Sequence, residues 1–297
     1  GIQIILDALR GIKLGEAESY LVAGVENMSM VPHLVYGSRF GTKYGSLQTV
    51  DMLLDALTDK FACIPMGITA ENLAQKYKIS RKESDLFSYE SHLKAAAAYE
   101  KGYLQGEITA IELKKGLCEK DEHLRSDASV ESMAKLRPSF QKDGVVTPGS
   151  ASGIVDGAAA VMVASEDFVK KHSLNPIAEI LDGSVIGVDP KIMGIGPVPA
   201  IRSLLEKNQL KLSDIDLVEI NEAFSAQTLS CVKELELDRD RLNIWGGAVA
   251  LGHPLAASGT RITYTLARQL VQEHKKMGIA SACIGGGMGI AILIKKV

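Results

Sequence analysis

The spacing of apolar residues predicts that helices and strands alternate along most of the chain. Apolar positions from Ile2 to Ile12 recur with a helical period, so residues 1–13 are predicted to form an amphipathic helix that stops at Gly15. Residues 19–25 are apolar on both faces, which predicts a buried strand. Further strands are predicted at residues 158–164, 177–180, 215–220, 279–284 and 289–294, and helices at 200–207 and 260–276. This alternation indicates the α/β class.

A more polar region interrupts this pattern between residues 31 and 144. Thr69 is predicted to cap a helix that runs through residue 77. Ser80 and Glu83 form a capping-box pattern ahead of a long helix that ends at Gly102. We interpret residues 31–144 as an inserted helical subdomain that lies on the α/β core. The core is then divided into one half formed by residues 1–30 and 145–175 and a second half formed by residues 176–297.

A faint internal repeat relates the two halves. The segments that begin at Gly1 and at Gly259 each form a predicted helix followed by a strand of small residues. Superposing Gly1 on Gly259 places Ala23 opposite Ser281. Residues 153–164 and 285–294 also both run from glycines into an apolar strand. We therefore predict that the two halves are related copies of one α/β unit.

Composition and charge narrow the classes of function. The 297 residues are 46% hydrophobic and 23% charged, and no apolar run reaches the roughly 20 residues that span a bilayer. The net charge of -3 provides no basic field, so we predict neither a nucleic-acid nor a membrane partner. The four cysteines are widely spaced without a C-x-x-C pair, which argues against a metal site and a disulfide framework. This usage favours a reducing compartment, predicted as the cytoplasm with the mitochondrial matrix as the alternative.

The segment spanning residues 243–262 places one histidine among small residues. His253 lies between Gly252 and Pro254, and no charged side chain occurs in this segment before Arg261. Glycine allows close backbone approach and proline stiffens the chain, so the pattern predicts a rigidly held histidine beside a long ligand. The alternative is a buried, hydrogen-bonded histidine in a structural turn, and this segment alone does not decide between them.

Three further features lie at predicted strand ends, and each has a catalytic and a structural interpretation. Asn221 is a polar site residue or the cap of the following helix. Cys283 is a thiol that can exchange a proton with carbon, or a small core residue. The amides of residues 285–287 bind an oxyanion, or these glycines form only a turn. Because the glycine run lacks the G-x-G-x-x-G pattern, a nucleotide-binding protein is the weakest hypothesis.

These motifs together resemble the thiolase family of acyl-CoA acyltransferases. The chain carries N-E-A-F at residue 221, G-G-A-V-A-L-G-H-P at 246 and C-I-G-G-G at 283, and further matching strings begin at residues 26, 66, 132 and 150. The resemblance extends from end to end. It implies a duplicated α/β/α/β/α layered core with an inserted helical loop domain that covers coenzyme A. It also implies coenzyme A and acyl-CoA as substrates, no tightly bound cofactor, and a homodimer or homotetramer.

The resemblance also implies roles for individual residues. His253 would activate the nucleophilic cysteine, and Cys283 would shuttle the proton at the acetyl α-carbon. Asn221 would hold a water that, with His253, stabilises the thioester oxyanion, while the amide of Gly285 would contribute to a second oxyanion hole. The channel for coenzyme A and its pantetheine arm would be lined by Ser152, Ala151, Ile154, Met66 and Phe224.

The chain departs from the family pattern at two points. In thiolases the acyl-accepting cysteine lies in a C-x-S-G string at the start of the helix that here begins at Gly1, and none of the four cysteines matches it. We therefore expect the nucleophile three residues upstream, in a segment that precedes this sequence, and predict that this chain alone is inactive. Pro65 occupies a position where many short-chain thiolases carry a histidine, so the acyl-chain preference is left open.

The predicted reaction is acyl transfer between a cysteine thioester and coenzyme A in two half-reactions. It cleaves a 3-ketoacyl-CoA to acetyl-CoA and a shortened acyl-CoA, or forms acetoacetyl-CoA from two acetyl-CoA molecules. The alternative is a thiolase-like scaffold that binds acyl-CoA without turnover, which the absence of the cysteine motivates.

Overall fold

The computed structural model of the protein describes residues 1–114 and 116–297. The α-helices are α1 (Ile2–Lys13), α2 (Met52–Ala56), α3 (Met66–Tyr77), α4 (Arg81–Glu100), α5 (Val130–Ala134), α6 (Glu166–Lys171), α7 (Pro197–Lys207), α8 (Ser225–Leu235), α9 (Ala248–Leu251) and α10 (Leu255–Gln272). The strands are β1 (Ser19–Glu26), β2 (His33–Leu34), β3 (Val50–Asp51), β4 (Thr58–Asp59), β5 (Ile64–Pro65), β6 (Ile111–Leu113), β7 (Gly116–Cys118), β8 (Gly157–Ala164), β9 (Ala178–Gly187), β10 (Leu217–Ile220), β11 (Met277–Ile284) and β12 (Met288–Lys296).

The core is duplicated, as predicted. In the first half α1 leads into β1, which pairs antiparallel with β8, and in the second half α10 leads into β11, which pairs antiparallel with β12. The offset that superposes Gly1 on Gly259 also superposes β1 on β11 residue for residue. The repeat therefore consists of a helix followed by an antiparallel strand pair.

Two sheets enclose the helices α1 and α10. The larger sheet has the order β10-β11-β12-β9, with β10 parallel to β11 and the remaining neighbours antiparallel. One face of this sheet packs against α7 and α8, and the other packs against α1 and α10. The side of α10 that faces away from the larger sheet packs against β1 and β8 of the smaller sheet. This layering confirms the α/β class and the layered core.

The two central helices approach each other through glycines. A Cβ atom on Gly259 would lie 3.0 Å from the Cα of Gly1, so a side chain at this position requires the two backbones to move apart. Glu26 at the end of β1 accepts a hydrogen bond from the amide of Ala256 at 3.0 Å, which binds the first turn of α10 to the other half. The crossing and this hydrogen bond therefore hold the amino-terminal part of α10 against the first half of the core.

Strand β1 is not the buried strand that its apolar sequence predicts. Leu21 is 78% exposed and Val25 is 70% exposed, whereas Val22 on the opposite face is buried against α10. Within the described residues β1 pairs with β8 along one edge, and a helix layer covers only one of its faces. The prediction that β1 is buried was wrong. Apolar residues on both faces of a strand do not show which elements pack against each face.

The region between residues 31 and 144 lies on the core through helices. Helices α3 and α4 pack on α8, and α4 also packs on α9. The region also contains three short strand pairs that the sequence did not predict: β2–β3 and β4–β5 before α3, and β6–β7 after α4. Whether residues 31, 145 and 176 begin separate domains stays a prediction. No helix in the described part of the chain is long and apolar enough to cross a membrane.

Helix ends show where local patterns succeeded and failed. The capping box at Ser80 and Glu83 is present and begins α4, which ends just before Gly102. The cap predicted at Thr69 is wrong, because α3 already begins at Met66 and the Thr69 hydroxyl donates to the Met66 carbonyl at 2.6 Å. Helix α10 begins at Leu255 rather than at residue 260, since Pro254 serves as its N-cap.

We expect Gly289→Ala to destabilise the fold and Gly187→Ala to be tolerated. A Cβ on Gly289 would collide with the backbone of Gly196, whereas a Cβ on Gly187 would have its nearest neighbour at 4.0 Å. Both glycines lie in the β9–β12 pair, so they form a matched comparison. Urea denaturation should show a loss of about 1–3 kcal/mol of unfolding free energy for Gly289→Ala only. Equal stability of the two variants would contradict this packing.

Candidate active site

Two predicted site residues lie at the same end of the larger sheet. Strands β10 and β11 are parallel, with Ile220 opposite Ser281, so the residues that follow them emerge at the same edge. Asn221 follows β10 directly, and its amide donates to the carbonyl of Ser281 at 2.9 Å. Cys283 lies two residues further along β11. The parallel register thus brings Asn221 and Cys283 to the same end of the sheet.

His253 reaches this edge from the loop between α9 and α10. Its ring Nε2 lies 3.2 Å from the side-chain nitrogen of Asn221. Gly252 precedes it with a left-handed φ of +92°, which favours glycine, and a Cβ there would also lie 2.5 Å from the Val155 side chain. The His253 amide donates to the carbonyl of Gly153 at 3.3 Å. Two small-residue loops therefore hold the histidine between them.

The loop around Ser152 runs alongside the segment that follows Asn221. Ala151 forms a β-bridge with Phe224, and the Ser152 amide donates to the Ala223 carbonyl at 3.0 Å. The structure therefore brings together three of the residues predicted to line the substrate channel. A fourth, Ile154, is 66% exposed and lies at the surface of the same loop.

Met66 belongs to the inserted region but reaches the glycine turn after Cys283. A Cβ built on Gly285 would have its nearest neighbour, the Met66 methyl carbon, at 3.2 Å. The turn itself joins β11 to β12, with Ile284 opposite Met288. The insert and the second half of the core thus enclose the predicted oxyanion site from two sides.

Asp59 is a site feature that the sequence reasoning missed. Its buried carboxylate accepts the amides of Phe61 and Ala62 at 2.9 and 2.7 Å and the amide of Gly286 at 2.9 Å. These backbone hydrogen bonds, that of Ala62 foremost, hold the pKa of Asp59 below its usual value. The local bonds follow from a turn-forming T-D-K-F sequence, but the contact with Gly286 is long-range and had no sequence signal. Asp59 therefore ties the insert to the glycine turn.

Glu222 is a second site feature that the sequence did not predict, and it binds the segment that precedes His253. Its carboxylate accepts the Ser91 hydroxyl at 2.7 Å, the Asn243 side-chain amide at 2.8 Å and the Val249 amide at 3.2 Å. Burial raises its pKa above the usual value, and these hydrogen bonds oppose that effect. A Cβ on Gly247 would meet the carboxylate, which explains the small residue there. The second residue of N-E-A-F is thus a structural anchor for the loop that leads to His253.

The protonation states at the site follow from its surroundings. Desolvation, with a smaller effect of the Arg261 charge, lowers the pKa of His253 to about 4, so the ring is neutral at pH 7. Desolvation raises the pKa of Cys283 to about 12, so its sulfur is a thiol at pH 7. A neutral imidazole can accept a proton and a thiol can donate one. The site therefore pairs a base with an acid, and no metal-binding group of side chains occurs among the described residues.

Asn221 has an unused acceptor at this site. Its Oδ1 is buried and has no hydrogen-bond partner among the described residues, while its Nδ2 faces His253. A buried carbonyl oxygen of this kind is costly unless a donor approaches it. The amide is therefore suited to bind a water or substrate donor beside the histidine.

Comparison with known proteins shows that almost the whole chain matches one family. The family model described as "Thiolase, N-terminal domain" matches residues 1–167, and "Thiolase, C-terminal domain" matches residues 174–296. The chain is 49% identical to the mitochondrial 3-ketoacyl-CoA thiolase of Homo sapiens, an alignment that covers 99% of this chain and 76% of that protein. It is 46% identical to a probable acetyl-CoA acyltransferase of Staphylococcus epidermidis, and that alignment covers 100% of this chain and 76% of that protein.

Solved structures match equally well. The crystal structure of human mitochondrial 3-ketoacyl-CoA thiolase in complex with CoA superposes with a TM-score of 0.98 at 49% identity, and covers 100% of this chain and 75% of that chain. The crystal structure of the Bacillus anthracis acetyl-CoA acetyltransferase superposes with a TM-score of 0.96 at 44% identity, and covers 100% of this chain and 76% of that chain. The layered fold is therefore shared over the whole of the described chain.

We expect the His253 ring to remain neutral until the pH falls to about 4. Its folded-state pKa lies below the reference value of 6.5, so its contribution to stability is present above pH 6.5 and is lost as the pH falls through 4. Titration of ¹⁵N-histidine-labelled protein by NMR, with His253→Asn used for assignment, measures this directly. Protonation of the ring near pH 6.5 would show that the site is hydrated rather than desolvated.

Proposed function

The chain belongs to the thiolase family, and on that premise we propose that its site transfers an acyl group between a cysteine thioester and coenzyme A. The observation that carries this function is the placement of a neutral histidine, a protonated thiol and a glycine turn at one end of the larger sheet. His253 contacts Asn221, and Cys283 precedes the turn that begins at Gly285. This set supplies a base, an acid and oxyanion donors for carbon–carbon bond cleavage.

The cleavage half-reaction uses these groups in sequence. Through its Nε2, His253 removes the proton of the acyl-accepting thiol, and the resulting thiolate attacks the 3-keto carbonyl carbon. The bond between that carbon and the α-carbon breaks, and its electron pair moves onto the α-carbon and its thioester oxygen. His253, now protonated, and a water held by Asn221 stabilise that oxygen. Cys283 donates its proton to the α-carbon, so acetyl-CoA leaves and a Cys283 thiolate remains.

The second half-reaction restores every group. The Cys283 thiolate takes the proton of the incoming coenzyme A thiol, and the new thiolate attacks the acyl-cysteine carbonyl. The amide of Gly285 donates to the oxyanion of this tetrahedral intermediate. The acyl group leaves on coenzyme A, and the released cysteine sulfur recovers the proton held by His253. The reverse sequence condenses two acetyl-CoA molecules.

Coenzyme A is proposed as a substrate rather than a resident cofactor. Ala151 pairs with Phe224, Ser152 lies next to them, and Met66 of the insert contacts Gly285, which supports a channel for the pantetheine arm between the insert and the core. Ile154 extends this loop at the surface. A homodimer or homotetramer is proposed from the family resemblance. The cysteine usage and the relative named mitochondrial support the cytoplasm or the mitochondrial matrix as the location.

The second candidate function is an acyl-CoA-binding scaffold, which the positions of the four cysteines favour for this chain alone. Cys231 is fully buried and donates to the Gly194 carbonyl, and burial raises its pKa. Cys63 is exposed on the insert, Cys118 lies on β7, and Cys283 is held as a thiol. A nucleophilic cysteine needs its thiolate stabilised. We therefore propose that the acyl-accepting cysteine is not among these four and that residues 1–297 alone do not turn over.

The full-length gene product is expected to catalyse thiolysis that depends on the two central residues. His253→Ala and Cys283→Ala should each lower kcat about 10²- to 10⁴-fold, the range of general acid–base contributions. Cys118→Ser, a cysteine outside the site, should retain activity. The measurement is loss of acetoacetyl-CoA absorbance in the presence of coenzyme A. A wild-type protein that binds coenzyme A but does not turn over would instead support the function of an acyl-CoA-binding scaffold.

Residues 1–297 are expected to form no stable acyl-enzyme. Intact-protein mass spectrometry after incubation with acetyl-CoA should show the unmodified mass, because Cys231 is buried, Cys283 is held as a thiol, and Cys63 and Cys118 lie outside the site. Isothermal titration calorimetry with coenzyme A checks that the same sample still binds. An acetyl adduct mapped to any of the four cysteines would refute the assignment.

A further inference from the structure

The second ring nitrogen of His253 contacts a side chain in the first turn of α10. Nδ1 lies 2.6 Å from the hydroxyl oxygen of Ser258, and that oxygen lies 2.9 Å from the carbonyl oxygen of Pro254. Ser258 is only 1% exposed. The three polar atoms therefore form a short chain in which each gap is of hydrogen-bond length.

The number of protons available to these three atoms determines the direction of both hydrogen bonds. Each of the two gaps requires one proton, because two bare lone pairs at these distances repel. The carbonyl oxygen of Pro254 carries no proton, and the Ser258 hydroxyl carries one. The Ser258 proton occupies the gap to Pro254, so the proton in the other gap belongs to Nδ1. The Ser258 oxygen therefore accepts from the His253 ring.

We propose that Ser258 is a positioning residue that holds His253 in the tautomer protonated at Nδ1 and so leaves Nε2 as the proton acceptor. Asn221 agrees with this assignment, since its amide nitrogen, a donor, is the atom that faces Nε2 at 3.2 Å. The orientation of the amide and the direction of the serine hydrogen bond are independent features. Both require an unprotonated Nε2 in the neutral ring.

The catalytic consequence rests on the proposed function. A thiol can transfer its proton only to a ring nitrogen that has a free lone pair, and the tautomer protonated at Nε2 has none at the site. When Nε2 takes the proton, the ring becomes an imidazolium, and its Nδ1–H remains bound to Ser258. The hydroxyl thus orients the ring in both protonation states, as an outer partner of a functional histidine does.

The test compares Ser258→Ala with Ser230→Ala. Ser230 is a matched control because it is also fully buried in a helix and donates to the carbonyl four residues earlier, that of Ala226, at 2.8 Å, without contacting a histidine. Long-range ¹H–¹⁵N NMR of the His253 ring at neutral pH distinguishes a protonated nitrogen from a free one. The wild type and Ser230→Ala should show a protonated Nδ1 and a free Nε2. Ser258→Ala should show averaged shifts that indicate a mixture of tautomers.

Kinetics of the full-length gene product provide the second readout. Ser258→Ala should lower kcat about 10- to 100-fold with little change in KM, the size expected for loss of a histidine's outer partner, whereas Ser230→Ala should leave kcat unchanged. A purely structural role for Ser258 would change stability without changing the tautomer. An Nε2-protonated ring in the wild type, or an unchanged ring in Ser258→Ala, would overturn the proposal.

The two proposals fail in different ways. The NMR measurement needs no turnover, so an Nδ1-protonated ring in a protein without thiolysis would refute the enzyme function and support the role of Ser258. Thiolysis by a protein whose His253 ring is protonated at Nε2 would refute the role of Ser258 alone.

Discussion

The close approach of α1 and α10 determines how the two halves of the protein pack together. These helices lie between the two sheets, and their backbones meet where Gly1 faces Gly259. Side chains at these positions would separate the layers, because packed interiors tolerate little added volume. The crossing also holds the amino-terminal part of α10, and His253 lies two residues before that helix begins. The position of the histidine is therefore a consequence of how the two halves pack.

The site is assembled at the ends of elements rather than within one of them. The parallel register of β10 and β11 brings Asn221 and Cys283 to the same end of the sheet, and the turn after β11 adds the glycine amides. Buried carboxylates then bind the surrounding loops. Asp59 holds the glycine turn to the insert, and Glu222 holds α4 to the loop that leads to His253. Each of these carboxylates accepts three hydrogen bonds, and losing such a buried acceptor leaves its donors unsatisfied at a cost of about 1–3 kcal/mol each.

The electrostatic character of the site follows from the same enclosure. Desolvation lowers the pKa of His253 and raises that of Cys283, so both groups are uncharged at neutral pH. The desolvation that keeps both groups neutral also disfavours the charge that each acquires on exchanging a proton, so proton transfer at this site requires donors that stabilise the developing charge. In the proposed reaction, charge develops at oxygens that the amide of Gly285 and the water on Asn221 would stabilise.

The alternation of helices and strands, the internal repeat and the residue types at the site could all be predicted from the sequence, because periodicity, capping and glycine content act locally. The sequence identified the capping box of α4 and singled out His253, Cys283, Asn221 and Gly285 before any contact was known. It could not show that β1 is exposed on one face, or that Asp59 reaches Gly286, since both depend on neighbours far along the chain. Nor could it show the direction of the hydrogen bond between His253 and Ser258. That direction depends on a proton count among three atoms, and only the tertiary structure brings those atoms to hydrogen-bond distance.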